Sequence, residues 1–452
     1  MFNPLPVLVT AVGGYMLVKL RLYPLSRPLE GVRKVSRALK NPVCFRSFTL
    51  ALAGTLGVGN VFGVCVGITV GGSGSVFWLL LSVIPASVLK YSEVVLTADN
   101  LSASRDGRHG GMNYVLLAQG GRFSALLSRL YAVSALLLSF FMGAALQCAT
   151  VVTCTAELYR TPGLISSSLL SILVLFGVVG GAGVIEKITS FLIPLTTIIY
   201  IILTLSVIFI FKNEIPRVLS DIMEGAFTGE GIVGGFIGTL VSMPVREGFC
   251  RGILSNEAGA GTSSMAHSRG VQLSPSTSGL LGVLEVAFDT LLLCSLTAFA
   301  VLASHKDVPS SVSPMSLILS AVSSALGDAA AILLLFSVFV FAYATVICWY
   351  YYGRESLGFL LGSRLRGTYL LLYIFACCFG FLLGEERLIS ISDILLFTLT
   401  ALTSFAIIKG SDRIVALSEP HRGIITRLSS LAKVKEVLSS KEGHLQEPKE
   451  PR

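Results

Sequence analysis

Charged residues are scarce in this chain. Asp, Glu, Lys and Arg make up 13% of its 452 residues, against about 25% in an ordinary soluble domain. With 53% hydrophobic residues and a mean hydropathy of +0.79, so few charges cannot cover the apolar surface, which excludes a water-soluble globule built around one core. Histidine is rarer still, with five in all, and none stands at metal-ligand spacing. The nine cysteines include no C-x-x-C pair; Cys65, Cys148, Cys154, Cys294, Cys348, Cys377 and Cys378 sit inside apolar runs and read as small buried hydrophobes. A disulfide framework and a zinc site are therefore not expected. Ser255 has no His or Lys at helical spacing to act as its base, so a nucleophilic enzyme is not expected either, and no cofactor. Alternation of period two is also missing, which excludes a transmembrane barrel.

What is present is a series of apolar runs long enough to cross about 30 Å of hydrocarbon. Eleven are found, at roughly 5–20, 47–70, 75–97, 130–157, 164–180, 189–211, 231–250, 278–303, 329–352, 368–384 and 389–408. The expected fold is an all-α polytopic membrane protein of about eleven transmembrane helices. The first run has no basic stretch before it and no small-residue cleavage site, so it reads as a helix and not as a signal peptide.

Charge placement orients these helices, because Lys and Arg of short loops prefer the cytoplasmic side. Residues 21–46 carry seven basic residues, and the loops that share their side hold Arg105, Arg108, Arg122, Arg129, Lys187, Arg251, Arg269, Arg354, Arg364 and Arg366. The tail after Ile408, with nine Lys or Arg, falls on that side too. The opposite loops are acidic, with Glu214, Asp221, Glu224 and Glu230 in one and Glu385 and Glu386 in another. The expectation is a multi-pass protein of the cell (cytoplasmic or inner) membrane, N-terminus outside and C-terminus cytoplasmic. The net charge of +8 then follows from topology and implies no nucleic-acid partner; the basic tail reads as solvated or lipid-touching.

Chemistry narrows to two unusual stretches within the membrane. In "AGTLGVGNVFG", Gly54, Gly57, Gly59 and Gly63 crowd the second apolar run; in "LSNEAGAGTSS", polar Ser255, Asn256 and Glu257 precede Gly259 and Gly261. A helix-interior Gly costs roughly 1 kcal/mol against Ala, so both stretches are expected to unwind, exposing backbone groups that something must satisfy. Setting the first helix aside, the other ten divide into two fives, each with a break in its first helix. That arrangement is an inverted repeat, in which two broken helices meet at the midplane around a small solute and its ions. The expected divisions are 1–44 (first helix and basic loop), 45–211 (first repeat), 212–230 (acidic outer loop), 231–408 (second repeat) and 409–452 (basic tail).

"GTLGVGNVFGV" followed by "GGSGSVFWLLLSVIPASVLKYSEV" resembles the first two core helices of the alanine or glycine:cation (sodium) symporter family. The similarity continues through "GGMNYVLL", "CRGILSNEAGAGTSSMAHS", "GVLEVAFDTLLLCSLTA" and "FAYATVICWYYYGRESLGFLLG", over about residues 45–365. The resemblance implies a leucine-transporter-like core of five plus five helices with one extra N-terminal helix, and sodium-coupled symport of alanine, glycine or a similar small neutral amino acid by alternating access.

On that resemblance Gly57, Val58, Gly59 and Asn60 stand in the family's G-T-G-N string. Freed amides there are expected to bind the substrate carboxylate near a positive helix end, with close helix packing as the other reading of the glycines. Asn60 and Thr55 offer oxygens to sodium, or Asn60 makes an interhelical hydrogen bond. Ser255, Asn256 and Gly259 are candidates for the amino-group end of the site. Glu257 either balances a cation or pairs with Arg251 or Arg246; structural pairing with Arg251, six residues back, is the favoured reading. Gln147 is a candidate substrate contact or a buried cross-helix bond. Thr345 and Trp349, at i, i+4, share a helix face, so the hydroxyl suits sodium and the indole a pocket wall, or else Trp349 anchors at the membrane interface. Asp289 and Glu285 are read as lying toward the cytoplasmic part with a structural role, and Lys90 with Glu93 as an ordinary ion pair. Val58 in place of Thr, "GGSG" in place of G-G-P-G and a last helix without Pro-Asn depart from the family pattern and bear on substrate and ion choice. A cation-independent or proton-coupled carrier of the same fold, and more remotely a channel, are the alternatives.

Overall fold

The computed structural model describes residues 3–26, 28–103, 110–227, 242–270, 273–306 and 313–418, and among these the chain is helical with no strand. Helix α1 (Leu5–Lys19) and the amphipathic α2 (Pro28–Leu39) precede the first broken helix. Its first half, α3 (Pro42–Thr55), starts where a helix start is favoured: Pro42 needs no amide partner in the first turn, and Asn41 Oδ1 accepts from the amides of Val43 (2.9 Å) and Cys44 (3.4 Å). The second half, α4 (Phe62–Gly71), follows a single 3₁₀ turn at Val58–Asn60, and the two halves are bent by 54°.

Next come α5 (Gly74–Leu81), α6 (Val83–Ala103), the short α7 (Met112–Ala118) and α8 (Gly121–Leu138), which runs through a π-helical stretch (Ser139–Leu146) into α9 (Gln147–Tyr159). Helices α10 (Gly163–Val179), α11 (Ala182–Ile210) and α12 (Ile215–Phe227) complete the first half. The second contains α13 (Met243–Asn256), the five-residue α14 (Ser263–His267) and α15 (Pro275–Val286). Another π stretch (Ala287–Cys294) joins α15 to α16 (Ser295–Ser304). Then follow α17 (Pro314–Leu326), α18 (Asp328–Leu361), α19 (Arg366–Phe379), α20 (Glu385–Lys409) and α21 (Ser411–Ser418).

Among the described residues seven helices are long and apolar enough to span a membrane, and eight when the bent pair counts as one. Two expected spans, α1 and α10, are apolar but only 15 and 17 residues long. The expected segment 231–250 falls outside the described residues as far as 241. Helix α17 was not anticipated: its 13 residues reach only about 20 Å, too short to span, and it packs instead against α4, α11, α16 and α18. The run expected at 130–157 begins earlier, at Gly121, and that expected at 329–352 extends to Leu361.

Large apolar side chains on α10, α11 and α19 face outward, among them Phe176 (75% exposed) and Leu371 (74%), whereas Trp349, Tyr131, Tyr200 and Tyr352 are fully buried. An exposed belt of this kind around a filled core is a lipid-facing surface, and the protein is a multi-pass membrane protein. Eight of the nine cysteines are buried and all nine are unpaired. Ion pairs join the basic loops to one another: Lys19 to Asp412 (2.9 Å), Arg413 to Asp99 (2.7 Å) and Arg269 to Glu186. At the other end Ser73 Oγ donates to Asp221 O (2.8 Å), and Arg217 bridges Glu214, Asp221 and the Leu302 carbonyl. Arg217 holds the half-buried Glu214 carboxyl below its usual range.

Candidate substrate and cation site

A helix that stops leaves carbonyls without partners, and at the end of α3 the partners come from α18. Thr345 Oγ1 donates to the Ala53 carbonyl (2.8 Å), Trp349 Nε1 to that of Gly54 (3.3 Å) and Cys348 Sγ to that of Leu50 (3.2 Å). The i, i+4 pair Thr345 and Trp349 thus does share one face, and that face caps the break. Trp349 is fully buried, which overturns the interfacial reading; it packs so tightly against Gly143 that a Cβ there would stand 2.3 Å from its own. Thr55 Oγ1 donates back to the Leu52 carbonyl (3.3 Å).

Beyond the break the freed amide of Val58 is held by Gln147 Oε1 (3.1 Å), whose Nε2 donates to the Met142 carbonyl (3.2 Å) in the π stretch. Gln147 therefore stands on the amide expected to receive a carboxylate. Glycine is required at 57, since a Cβ would meet Thr345 Oγ1 at 2.7 Å and Gln147 Oε1 at 2.8 Å. At Gly59 a Cβ would lie 3.4 Å from Ser255 Cα, so the two breaks touch.

The second break turns on backbone that only small or special residues adopt. Glu257 (φ +52°), Gly259 (φ +81°) and Gly261 (φ +76°) all lie in the left-handed region, which reverses the chain between α13 and α14. Gly259 serves this turn, where a Cβ would meet Thr400 and Leu89. Asn256 likewise turns inward to its own loop, with Oδ1 accepting from the Ala258 amide (3.0 Å) and Nδ2 donating to Thr290 Oγ1 (3.0 Å).

Asp289 joins the breaks. Its Oδ1 accepts from Asn60 Nδ2 (2.6 Å) and Ser255 Oγ (3.0 Å), and its Oδ2 from Thr290 Oγ1 (2.8 Å). It is fully buried in the second π stretch, which corrects the reading that placed it and Glu285 where solvation is cheap; both have 0% exposure. Asn60 spends its amide NH₂ on Asp289, and its Oδ1 is buried without a partner. A carboxylate and a free amide oxygen together make an acceptor-rich corner of the kind a hard cation occupies. The signal in the sequence was Asp289 inside an apolar run, where an acid is costly unless it has a task.

The expected pair of Glu257 with Arg251 or Arg246 does not form. Glu257 Oε2 accepts from Thr262 Oγ1 (2.6 Å), while Arg251 reaches Asp393 on α20 (2.9 Å) and Glu247 (3.4 Å), and Arg246 bonds Glu247 (3.0 Å). Six residues along a straight helix rotate a side chain by about 240°, so the two diverge unless the helix bends between them, and α13 stays helical to Asn256. Lys90 and Glu93 form the expected ion pair, and it lies in the core. Both are fully buried; Lys90 Nζ lies 3.6 Å from Glu93 and 3.3 Å from Glu285, and donates to Ser263 Oγ on α14. Glu285 also holds His267 Nε2 (3.0 Å), and Glu93 accepts the Gly261 amide (2.9 Å).

Between the breaks lies a cavity of about 20 Å³, lined by Gly57, Val58, Gly59, Gln147, Leu254 and Glu257 among others. It has room for about one water, so a larger solute enters only when the surrounding segments part.

The chain was compared with known proteins on this footing. The model of the sodium:alanine symporter family matches residues 2–420. The uncharacterized transporter YflA of Bacillus subtilis is 28% identical over 402 residues, covering 87% of this chain and 85% of its own length. The sodium/alanine symporter AgcS of Methanococcus maripaludis is 26% identical, covering 74% of each chain. Among solved structures, that of MhsT in complex with L-phenylalanine superposes with a TM-score of 0.57 at 14% identity, covering 82% of this chain and 91% of that one. The fold is therefore of the leucine-transporter type.

Proposed function

Because the chain belongs to the sodium:alanine symporter family, and so is a cation-coupled amino-acid transporter and not an enzyme, we propose that it carries alanine, glycine or a similar small neutral amino acid inward by sodium symport and alternating access. In this reading 45–211 and 231–408 are the two inverted repeats, 1–44 an added helix and loop, 212–230 an outer loop and 409–452 a cytoplasmic tail. The N-terminus is outside the cell membrane.

The observation that carries the reading is the corner where the breaks meet: a buried carboxylate, Asp289, next to the unpartnered Asn60 Oδ1. Sodium takes these oxygens, with hydroxyl oxygens of Thr55, Ser255 and Thr345 as further candidates. The substrate carboxylate displaces Gln147 Oε1 from the Val58 amide, and Gly57 and Gly59 keep that backbone approachable. Glu257 supplies the negative wall that faces the substrate ammonium. Binding of both partners draws the broken helices together, and one bundle then rocks against the other to open inward. One sodium moving inward across about 100 mV contributes roughly 2.3 kcal/mol, enough for about 50-fold accumulation.

The test is uptake of radiolabelled alanine into proteoliposomes under an inward sodium gradient or an equal potassium gradient, for wild type and Asn60→Ala. Uptake that requires sodium and falls at least tenfold in the variant is expected; uptake indifferent to sodium refutes the coupling. A second reading, proton coupling, is favoured by one observation: Glu93, Glu257, Glu285 and Asp289 are all buried with a single lysine, Lys90, among them. Uptake driven by an inward proton gradient without sodium would establish it.

A further inference from the structure

The helix before the first break carries cations that the rest of the molecule leaves unpaired. Helix α2 and the Lys40 that follows it hold Arg33, Lys34, Arg37 and Lys40 against a single acid, Glu30. Arg33, Arg37 and Lys40 are exposed and make no ion pair or side-chain hydrogen bond among the described residues. At about 100° per residue the three fall within about 60° of one another, so they form one row along the helix. The opposite face is the one that packs. Val35 is buried and Leu39 half-buried there, and a Cβ on Gly31 would stand 3.7 Å from Leu280 of α15. Val32, 55% exposed, lies about 100° round from Arg33, on the flank between the cations and the packed face.

Two sets of contacts place α2 at the surface of the membrane. On one side, the Tyr23 hydroxyl shares a hydrogen bond with Ser276 Oγ at the start of α15 (3.3 Å). The Tyr91 hydroxyl of α6 lies within hydrogen-bond distance of both Ser276 (3.2 Å) and Ser418 (2.8 Å), and Ser418 ends the helix whose Asp412 pairs with Lys19. Helix α2 therefore crosses the ends of α6 and α15 on the side of the basic loops. On the other side it runs into α3, whose first turn turns Val43 and Phe45 outward, so α2 lies where the chain enters hydrocarbon.

We propose that α2 is a binding site for anionic phospholipid in the leaflet on the side of the basic loops. Arg33, Arg37 and Lys40 hold the phosphodiester headgroup, the two arginines through paired N–H donors, and Val32 seats among the acyl chains. A zwitterionic lipid presents the same phosphate, but its own cation opposes the row, so the site selects lipids of net negative charge. Each cation near such a surface favours anionic lipid about fivefold, which makes roughly 100-fold for three. Because α2 packs on α15 and continues into α3, a lipid that fixes α2 in the membrane plane also fixes one helix from each half of the fold. The site does not depend on which solute the chain carries.

The test is photo-crosslinking of the full chain in phosphatidylcholine vesicles that hold a trace of phosphatidylglycerol with a diazirine on its headgroup, the adducts being mapped by peptide mass spectrometry. Adducts are expected within residues 28–46, displaced by unlabelled phosphatidylglycerol and not by glycerol phosphate in solution. Arg33→Gln, Arg37→Gln and Lys40→Gln together should lower the yield there about tenfold or more. Lys187→Gln, Arg364→Gln and Arg366→Gln together remove the same charge from three other exposed positions and should leave it within about twofold. Arg33→Lys with Arg37→Lys keeps the charge and should retain most of the yield, which separates loss of charge from loss of fold. Adducts spread evenly over the basic loops, or equal losses in the two triple variants, overturn the site by showing general attraction to a basic surface. Displacement by glycerol phosphate overturns it as a lipid site, and a loss in the lysine pair as large as in the glutamine triple overturns the role of charge.

Discussion

Replacing Asp289 by Asn removes one charge from the junction of the breaks and changes little else. Both side chains have the same shape, and with the amide oxygen placed where Oδ1 stands the variant still accepts from Asn60 Nδ2 and Ser255 Oγ, now 2.6 and 3.0 Å away. Its NH₂ then faces Thr290 Oγ1, an oxygen able to accept in place of donating. Two hydrogen bonds change from a charged to a neutral acceptor, a loss of about 1 kcal/mol each, and the third reverses direction; the loss is offset in part because an ionised carboxylate no longer has to be buried. Folding should survive. The loss for a cation is larger: a unit charge about 4 Å away, at an effective dielectric constant of about 20, contributes about 4 kcal/mol, or a factor of about 1,000 in affinity. Equilibrium binding of ²²Na⁺ to purified protein and the sodium dependence of alanine uptake read this directly, with the thermal midpoint as the folding control. A variant that melts within a few degrees of wild type and binds sodium within threefold of it refutes the assignment of Asp289 as the cation's counter-charge.

Three further substitutions follow from the packing. Gly57→Ala should abolish alanine uptake, because its Cβ meets Thr345 and Gln147 below 3 Å, while Gly59→Ala, at 3.4 Å from Ser255, should retain part of it; equal loss in uptake assays would contradict the clash argument. Lys90→Met should lower stability by about 3–5 kcal/mol by leaving Glu93 and Glu285 buried without their cation, and a thermal midpoint unchanged from wild type would show that those carboxylates are neutral in the folded protein.

The features legible in the sequence are those set by the membrane or by the chain's own backbone. Apolar runs are readable because hydrocarbon thickness dictates their length, so most predicted runs coincide with described helices, although those at 5–20 and 164–180 form helices of only 15 and 17 residues and that at 231–250 is described only from 242. The breaks are readable because Gly54, Gly57, Gly59, Gly259 and Gly261 weaken a helix wherever they occur. Gly59 then lies where the first broken helix meets the second, against Ser255, and Gly57 lies against Gln147 and Thr345. Helix α17 escaped notice because 13 apolar residues neither span a bilayer nor alternate in polarity as a surface helix does. The π stretches before Gln147 and around Asp289 escaped because one extra residue per turn leaves no trace in hydropathy.

The chain's sequence by itself determined that it lives in a membrane, where its helices run, which loops are basic and where two helices fail, since each depends on local composition. Only the tertiary structure decided who partners whom. Arg251 answers to Asp393, 142 residues away, and not to Glu257, six away. Asp289 answers to Asn60, 229 residues distant, and Lys90 to Glu285, 195 distant. The reason is physical: in a low-dielectric core a polar group must be satisfied by whatever lies within about 3 Å, and which side chain that is depends on helix packing and rotation, not on separation along the chain.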